Sequence, residues 1–147
     1  MKIKTMLSVR RLNFKIKRES LRFKRLQETL TQTVFSSDGM PRSPNKVSKI
    51  ERLAPVKIDI EMYIDKLKVV RESLRRKLAR LLEKCFADFE NYLLECETLI
   101  YRYAYDYSYR KIAQSLNYSV ASVYRFHRTG LLFLGFTENE VHTLECS

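Results

Sequence analysis

The sequence predicts an all-α fold, in which a long helical hairpin or coiled-coil-like N-terminal part precedes a C-terminal helix-turn-helix. Three observations support this prediction. Glycine and proline each occur only three times in 147 residues, which disfavours a turn-rich β fold. Apolar residues recur at three- and four-residue steps across residues 46–86. Between Ser108 and Arg128, two short helical patterns are joined by a tight turn.

Residues 1–35 are predicted to form a basic amphipathic helix, regular from about residue 8 to residue 33. Residues 1–33 contain ten Lys or Arg against two Glu. The apolar residues follow a loose helical stripe of Leu7, Leu12, Ile16, Phe23, Leu26 and Leu30, widened by Phe14 and Leu21. Such a helix can lie along DNA phosphates, pack against the next helix, or do both with different faces.

Residues 36–45 read SSDGMPRSPN, which predicts a linker ending in a helix start at Ser43-Pro44. Residues 46–86 then predict one long helix that Pro55 bends. Its apolar seam comprises Ile60, Ile64, Leu67, Val70, Leu74, Leu78, Leu81 and Cys85. This seam needs a partner, which is either residues 8–33 folded back as an antiparallel hairpin or the same seam of a second subunit.

Residues 87–136 are predicted to form a helix-turn-helix domain whose first helix spans Asp88 to Tyr105. The inner face of that helix comprises Phe89, Tyr92, Leu93, Cys96, Leu99, Ile100 and Tyr103. Tyrosines then alternate at positions 101, 103, 105, 107 and 109. We expect these rings to wall the small core between helices, the alternative being a platform for bases of single-stranded nucleic acid.

Two short helices follow, each with a hydroxyl residue at its start. Ser108 is the predicted cap of the first, which carries Ile112, Ala113 and Leu116 on its apolar face. The turn is Asn117-Tyr118, because Asn tolerates the left-handed conformation. Ser119 is the predicted cap of the second helix, whose inward residues are Val123, Phe126 and Gly130.

The outward surface of this second helix has the chemistry of a DNA-binding surface. Small residues near its start, Ala121 and Ser122, let the backbone approach bases, and Arg125 and Arg128 can donate bidentate hydrogen bonds. Residues 108–129 contain no Asp or Glu. We therefore predict contacts to double-stranded DNA from Ser119, Ala121, Ser122, Tyr124, Arg125 and Arg128, with Arg110 and Lys111 on phosphates. The alternative is a pair of packed helices with a solvated basic face.

Several runs of residues also resemble a known family. They are Leu93-Leu94, Tyr101-Arg102-Tyr103, Ile112-Ala113, Leu116, Tyr118-Ser119, Val123-Tyr124-Arg125 with His127, and upstream Met40-Pro41 and Lys46-Val47. This pattern, over roughly residues 40–134, resembles phage-encoded transcriptional regulators of the ArpU/RinA type, whose helix-turn-helix is similar to region four of sigma factors. Gly130 stands where the family tends to have an alanine, and we expect it to end or loosen the recognition helix early.

The resemblance implies a phage or prophage protein that activates or regulates late or lysis-related genes. The acidic residues Asp88, Glu90, Glu95 and Glu97 then face RNA polymerase or the solvent. Two alternatives remain: a DNA-packaging subunit similar to a phage small terminase, and a helical adaptor that binds host RNA polymerase. We expect a homo-oligomer, with a dimer favoured, since two linked modules gain specificity by reading adjacent half-sites.

The last part of the chain is predicted to pack back on the domain. The apolar run Leu131–Phe136 extends the recognition helix and packs against the Asp88–Tyr105 helix or forms an oligomer contact, and Gly135 is the predicted stop. Residues 137–147 form an acidic tail in which Thr137 can cap one more short helix. Its apolar content, Val141 and Leu144, is thin.

Composition limits the remaining functional classes. The net charge of +11 favours a polyanionic partner. No stretch approaches the roughly twenty apolar residues of a spanning helix, so we expect no membrane association and a soluble, intracellular protein. The phage or prophage origin that the resemblance implies would place it in the cytoplasm of a bacterial host. Cys85, Cys96 and Cys146 lack the spacing of metal ligands, and His127 and His142 are isolated. We expect reduced thiols, no metal, no cofactor and no enzymatic activity.

Overall fold

The computed structural model describes residues 2–35 and 49–146, and within these ranges the chain is helical, without a strand. The helices are α1 (Ile3–Met6), α2 (Ser8–Phe35), α3 (Lys49–Phe86), α4 (Leu93–Leu99), α5 (Tyr109–Leu116), α6 (Val120–Phe133) and α7 (Glu138–Glu145). A 3₁₀ turn at Glu90–Tyr92 precedes α4, and a π-helical turn at Ile100–Ala104 follows it. The predicted all-α class is confirmed. The predicted linker and the helix start at Ser43-Pro44 lie outside the described residues.

The chain divides into two compact units. The first unit comprises Met1–Arg11 and Arg71–Ser147, and the second comprises Leu12–Val70. Among the described residues, no helix is both long enough and apolar enough to cross a lipid bilayer.

In the second unit, α2 packs against α3 through an apolar cluster. Its buried members are Ile16, Ile60, Ile64 and Leu67, and Leu12, Phe23, Leu26 and Val56 pack against them. The Lys15 ammonium lies 5.4 Å from the centroid of the Tyr63 ring, and the Lys57 ammonium lies 5.4 Å from that of the Phe23 ring. The helices therefore run in opposite directions here. Pro55 lies inside α3.

Three residues expected in these apolar stripes lie outside them. Phe14, Leu21 and Val70 are 71%, 51% and 48% exposed. In the second unit the buried side of α2 is narrow, because it packs there against a single helix, so residues at the margins of the stripe stay in solvent.

The core of the first unit joins residues that are far apart in sequence. Met6 and Val9 are fully buried, as are Leu82, Leu99, Leu131, Val141 and Leu144, and they share one cluster with Leu78 and Phe86. Two apolar residues are thus sufficient to pack the C-terminal tail on the domain, since both Val141 and Leu144 lie in this core. Thr137 caps α7 in a capping box with Glu140, as predicted.

The predicted seam of α3 is wrong at its C-terminal end. Leu81 is 42% exposed and Cys85 is exposed, whereas Leu78, Leu82 and Phe86 are buried. Two residues four positions apart are separated by about 40° more than a full helical turn. A buried side that follows four-residue steps, as Leu78, Leu82 and Phe86 do, therefore moves around the helix as its packing partners change.

The inner face of the Asp88–Tyr105 segment is also partly wrong. Leu93 is 66% exposed and Phe89 is 46% exposed, although Phe89 contacts the Phe133 ring edge-on at 4.8 Å between centroids. The 3₁₀ and π-helical turns change the number of residues per turn, so a strict 3.6-residue period assigns some faces incorrectly.

Gly130 does not end α6 early, because this helix continues to Phe133. A Cβ atom at Gly130 would lie 3.0 Å from Leu99 Cδ1 and 3.2 Å from Glu95 Cβ. Glycine therefore allows α6 to cross α4 closely. The predicted stop is confirmed two residues after the helix end, where Gly135 has a φ of +82°.

Candidate nucleic-acid interface

The helix pair α5 and α6 is built from local signals. Ser108 Oγ accepts a hydrogen bond from the Lys111 amide at 3.3 Å, and Ser119 Oγ accepts one from the Ser122 amide at 3.1 Å. Asn117 ends α5 in the left-handed conformation, with φ 57° and ψ 40°. The predicted caps and turn are confirmed. Beneath them, Ile112, Ala113 and Val123 are buried in one cluster with Tyr109.

The outward side of α6 exposes most of the residues expected there. Val120, Ala121, Tyr124 and Arg125 are exposed, and Ser122 is half-buried. Phe126, which was expected to face inward, is half-buried and contacts the Tyr118 ring edge-on at 5.2 Å between centroids.

A short chain of hydrogen bonds positions Arg125. Arg125 Nη2 donates to Ser122 Oγ at 3.2 Å, and Ser122 Oγ lies 2.9 Å from Ser119 Oγ. The two hydroxyls are thus used within the protein. They hold the guanidinium near the start of the helix, where its remaining N–H groups stay available to a ligand.

Tyr124 is fixed by an aromatic contact. Its ring stacks on that of Tyr109 with 4.0 Å between centroids and an interplanar angle of 28°. The Arg102 guanidinium lies 4.6 Å from the centroid of the same Tyr109 ring. Tyr124 remains 43% exposed, so a defined part of its edge is accessible to a ligand.

Arg128 lies in a different electrostatic setting from Arg125. Its guanidinium pairs with the Glu138 carboxylate and lies 4.0 Å from that of Glu145, both on α7. The side chain is 49% exposed, but acidic groups of the same chain compensate its charge. The structure therefore brings Arg128 to α7, whereas Arg125 lies with Ser119 and Ser122.

The two cations of α5 lie in its first turn and are exposed. Lys111 Nζ is 3.6 Å from the centroid of the Tyr107 ring, and Tyr107 stacks on Tyr101 at 5.7 Å. This cation–π contact orients Lys111 without neutralising it. Arg110 and Lys111 thus present positive charge beside the N-terminus of α5, where a phosphate is also favoured by the helix dipole.

A buried polar cluster, which sequence reasoning missed, supports the back of α6. His127 is fully buried, and its Nε2 lies 2.8 Å from the Tyr103 hydroxyl. Burial, together with the nearby Arg102 charge, lowers the pKa of His127 to about 3. His127 is therefore neutral near pH 7. Its position four residues after Val123 and three before Gly130 was the available signal, since that spacing places it on the inward side.

The tyrosine segment behaves largely as a wall of the core. Tyr103 and Tyr109 are buried, and burial raises the pKa of both hydroxyls. Arg102 is also buried, and its Nη1 donates to the Tyr107 carbonyl oxygen at 3.1 Å. Sequence periodicity gave no signal for Arg102, because a charged residue is rarely buried.

The described residues contain no group of three or more His, Cys, Asp or Glu side chains arranged to hold a metal ion. Comparison of the chain with protein-family models, curated proteins and solved structures gives no match.

Proposed function

We propose that this protein is a sequence-specific regulator of transcription that binds double-stranded DNA by placing α6 in the major groove. The observation that carries the proposal is the exposed face of α6, where Arg125 is held by Ser122 beside the small residue Ala121. Arginine in this setting can donate to both acceptors of guanine. No Asp or Glu occurs from Tyr107 to Thr137, so the sequence of the helix pair supplies no negative charge of its own.

Each residue of the surface then has a distinct role. Ala121 allows close approach of the backbone, while Tyr124 and Arg125 contact base edges. Arg110 and Lys111 contact phosphates, which fixes the orientation of the helix pair on the duplex. Ser119 and Ser122 position Arg125.

The biological setting rests on the resemblance to ArpU/RinA-type regulators. It favours a phage or prophage protein that activates late or lysis-related genes, with the host RNA polymerase as a second partner. Selection of bound fragments from the source genome would identify the operator and the gene that it controls. Fragments from unrelated genes would contradict this setting.

We also propose that the protein acts as a dimer. Large apolar residues on α3 remain in solvent: Ile58, Met62 and Val69 are 57%, 54% and 71% exposed. Their spacing of four and seven residues places them on one side of the helix. A mass measurement in solution tests this expectation. A ring of eight or more subunits would instead favour the packaging subunit.

Replacing Arg125 by Ala tests the main proposal. We expect the binding free energy for the operator to weaken by about 1 to 3 kcal/mol and that for random duplex DNA to weaken less, because a base contact is lost. Titration of both duplexes at one salt concentration measures the two losses. As a matched control, Arg110→Ala should weaken both by the same factor, since a phosphate contact carries no sequence information. Equal losses in Arg125→Ala would remove Arg125 from the base-contacting set.

A further inference from the structure

The second unit carries a line of cations on α2. Lys15, Arg18, Arg22 and Arg25 are three, four and three residues apart, which places them on one side of the helix. The line is about 15 Å long at the usual helical rise. The side chains of Arg18 and Arg22 are 66% and 63% exposed, Arg25 is exposed, and Lys15 is half-buried.

Packing within the unit uses this side of the helix only at Lys15, whose ammonium lies over the Tyr63 ring of α3. The apolar residues of α2 that pack against α3, among them Ile16, Phe23 and Leu26, follow a separate line. The sequence left open whether this helix packs or contacts a polyanion. In the structure, one side packs and another keeps Arg18, Arg22 and Arg25 in solvent.

A buried carboxylate organises the middle of the line. The Glu19 side chain is only 9% exposed, and its Oε1 accepts from Arg18 Nε at 3.3 Å and from Arg18 Nη2 at 3.2 Å. Its Oε2 lies 3.7 Å from Arg22 Nη1. Each guanidinium has five N–H groups, so both keep donors for an external anion while Glu19 restricts their motion. Held in this way, the two side chains lose less conformational entropy when they bind a ligand.

We propose that this side of α2 is a second DNA-binding surface, which contacts the phosphate backbone of the duplex without regard to sequence. The proposal rests on the DNA-binding function proposed above for α6 and gives α2, beside Arg110 and Lys111 of α5, a share of the sequence-independent affinity. A duplex carries about one negative charge per 1.7 Å of its axis, so several phosphates lie within reach of the line, whose four cations outnumber the single Glu19 carboxylate.

The chemistry of the neighbouring residues favours a duplex over an anionic lipid surface. Two large apolar residues, Phe14 and Leu21, are exposed beside the line of cations, and they are seven residues apart. Helices that bind membranes bury a continuous apolar face at the acyl boundary. On α2, the continuous apolar face is already packed against α3.

The test uses the full chain with Lys15→Gln, Arg22→Gln and Arg25→Gln combined. Arg18 is retained, so that buried Glu19 keeps its closest partner. The matched control combines Arg52→Gln, Lys66→Gln and Lys68→Gln, which removes the same charge from exposed positions on α3 of the same unit. Binding to a random duplex and to the selected operator is measured from low to high salt, and circular dichroism verifies that both variants are helical.

We expect the slope of the logarithm of affinity against the logarithm of salt concentration to fall by about 2 to 3 in the α2 variant and by less than about 1 in the control. Affinity for operator and random duplex should fall by the same factor. Equal slopes in the two variants would overturn the proposal. So would an α2 variant that binds duplex DNA as its control does but no longer binds vesicles that contain anionic lipid.

The outcome is separable from that of the function proposed for α6. If the unmodified chain binds duplex DNA and Arg125→Ala weakens operator binding, while the α2 variant changes no more than its control, only the role of α2 fails. If the unmodified chain binds no duplex, both proposals fail.

Discussion

Arg125 and Arg128 lie three residues apart on the same helix, yet their charges have different surroundings. Arg125 donates to a neutral hydroxyl, whereas Arg128 lies between two carboxylates of α7. A phosphate that approaches Arg128 must also approach Glu138 and Glu145. Sequence spacing gave the two arginines equal roles, because the position of the acidic tail depends on tertiary packing.

We expect Arg128→Ala to weaken binding to DNA less than Arg125→Ala does. Replacing Glu138 and Glu145 by Gln should strengthen binding about two- to fivefold, the range expected for removing exposed ion pairs that compete with the ligand. The control is Glu90→Gln with Glu97→Gln, which changes the net charge equally at exposed positions in the 3₁₀ turn and on α4 instead of on α7. Similar affinities for the two double variants would show that α7 does not compete for Arg128.

His127 links the pH of the solution to the stability of the unit that contains α6. Its pKa in the folded chain is about 3, below the ordinary value of 6.5, because burial penalises the charged imidazole. The unfolded chain therefore binds the proton first. The stabilisation is complete above pH 6.5 and is lost as the pH falls from 6.5 towards 3.

We expect the free energy of unfolding to fall by about 1.5 to 2 kcal/mol between pH 6.5 and pH 5. Urea denaturation at intervals of pH measures this fall. The His127→Gln variant should have a shallower dependence, whatever its stability at neutral pH, and His142→Asn, at an exposed position, should retain the steep one. If the free energy of unfolding depended on pH equally steeply in the native chain and in His127→Gln, His127 would not be the group responsible.

At the scale of single elements, predictions succeeded where adjacent residues determine the conformation. The caps at Ser108, Ser119 and Thr137 and the left-handed Asn117 depend on hydrogen bonds and backbone preferences within a few positions. The buried faces were harder to assign. Leu93 was placed wrongly because a 3₁₀ turn alters the helical period directly before it, and one sequence does not reveal such a turn.

Glycine has a low helix propensity, but at position 130 it allows α6 to cross α4 closely. We expect Gly130→Ala to destabilise the protein by about 1 to 2 kcal/mol, because strain against Leu99 and Glu95 exceeds the gain in propensity of up to about 1 kcal/mol. Chemical denaturation measures the change. Thr129→Ala, at the exposed neighbouring position, isolates the propensity effect and should not destabilise. Stabilisation by Gly130→Ala would show that the two helices separate without strain.

At the scale of the whole molecule, each unit has its own apolar cluster and its own exposed cations. The core of the first unit could not be predicted from periodicity, because Met6 and Val9 meet residues more than sixty positions away, including Val141 and Leu144. Periodicity shows which side of a helix is buried but not what covers it. For the same reason, the caps and the turn of the helix pair were predicted correctly, whereas the supporting cluster of Arg102, Tyr103 and His127 was missed.

The three thiols provide a built-in reporter of how often the first unit opens. Cys85 and Cys146 are exposed, whereas Cys96 is buried, and burial raises its pKa to about 11. Iodoacetamide at pH 8 should alkylate two sites quickly and the third only when the core around Leu99 transiently exposes it. Mass spectrometry over time would then give the opening rate without any engineered probe. Equal alkylation rates at all three cysteines would mean that this core is open in solution.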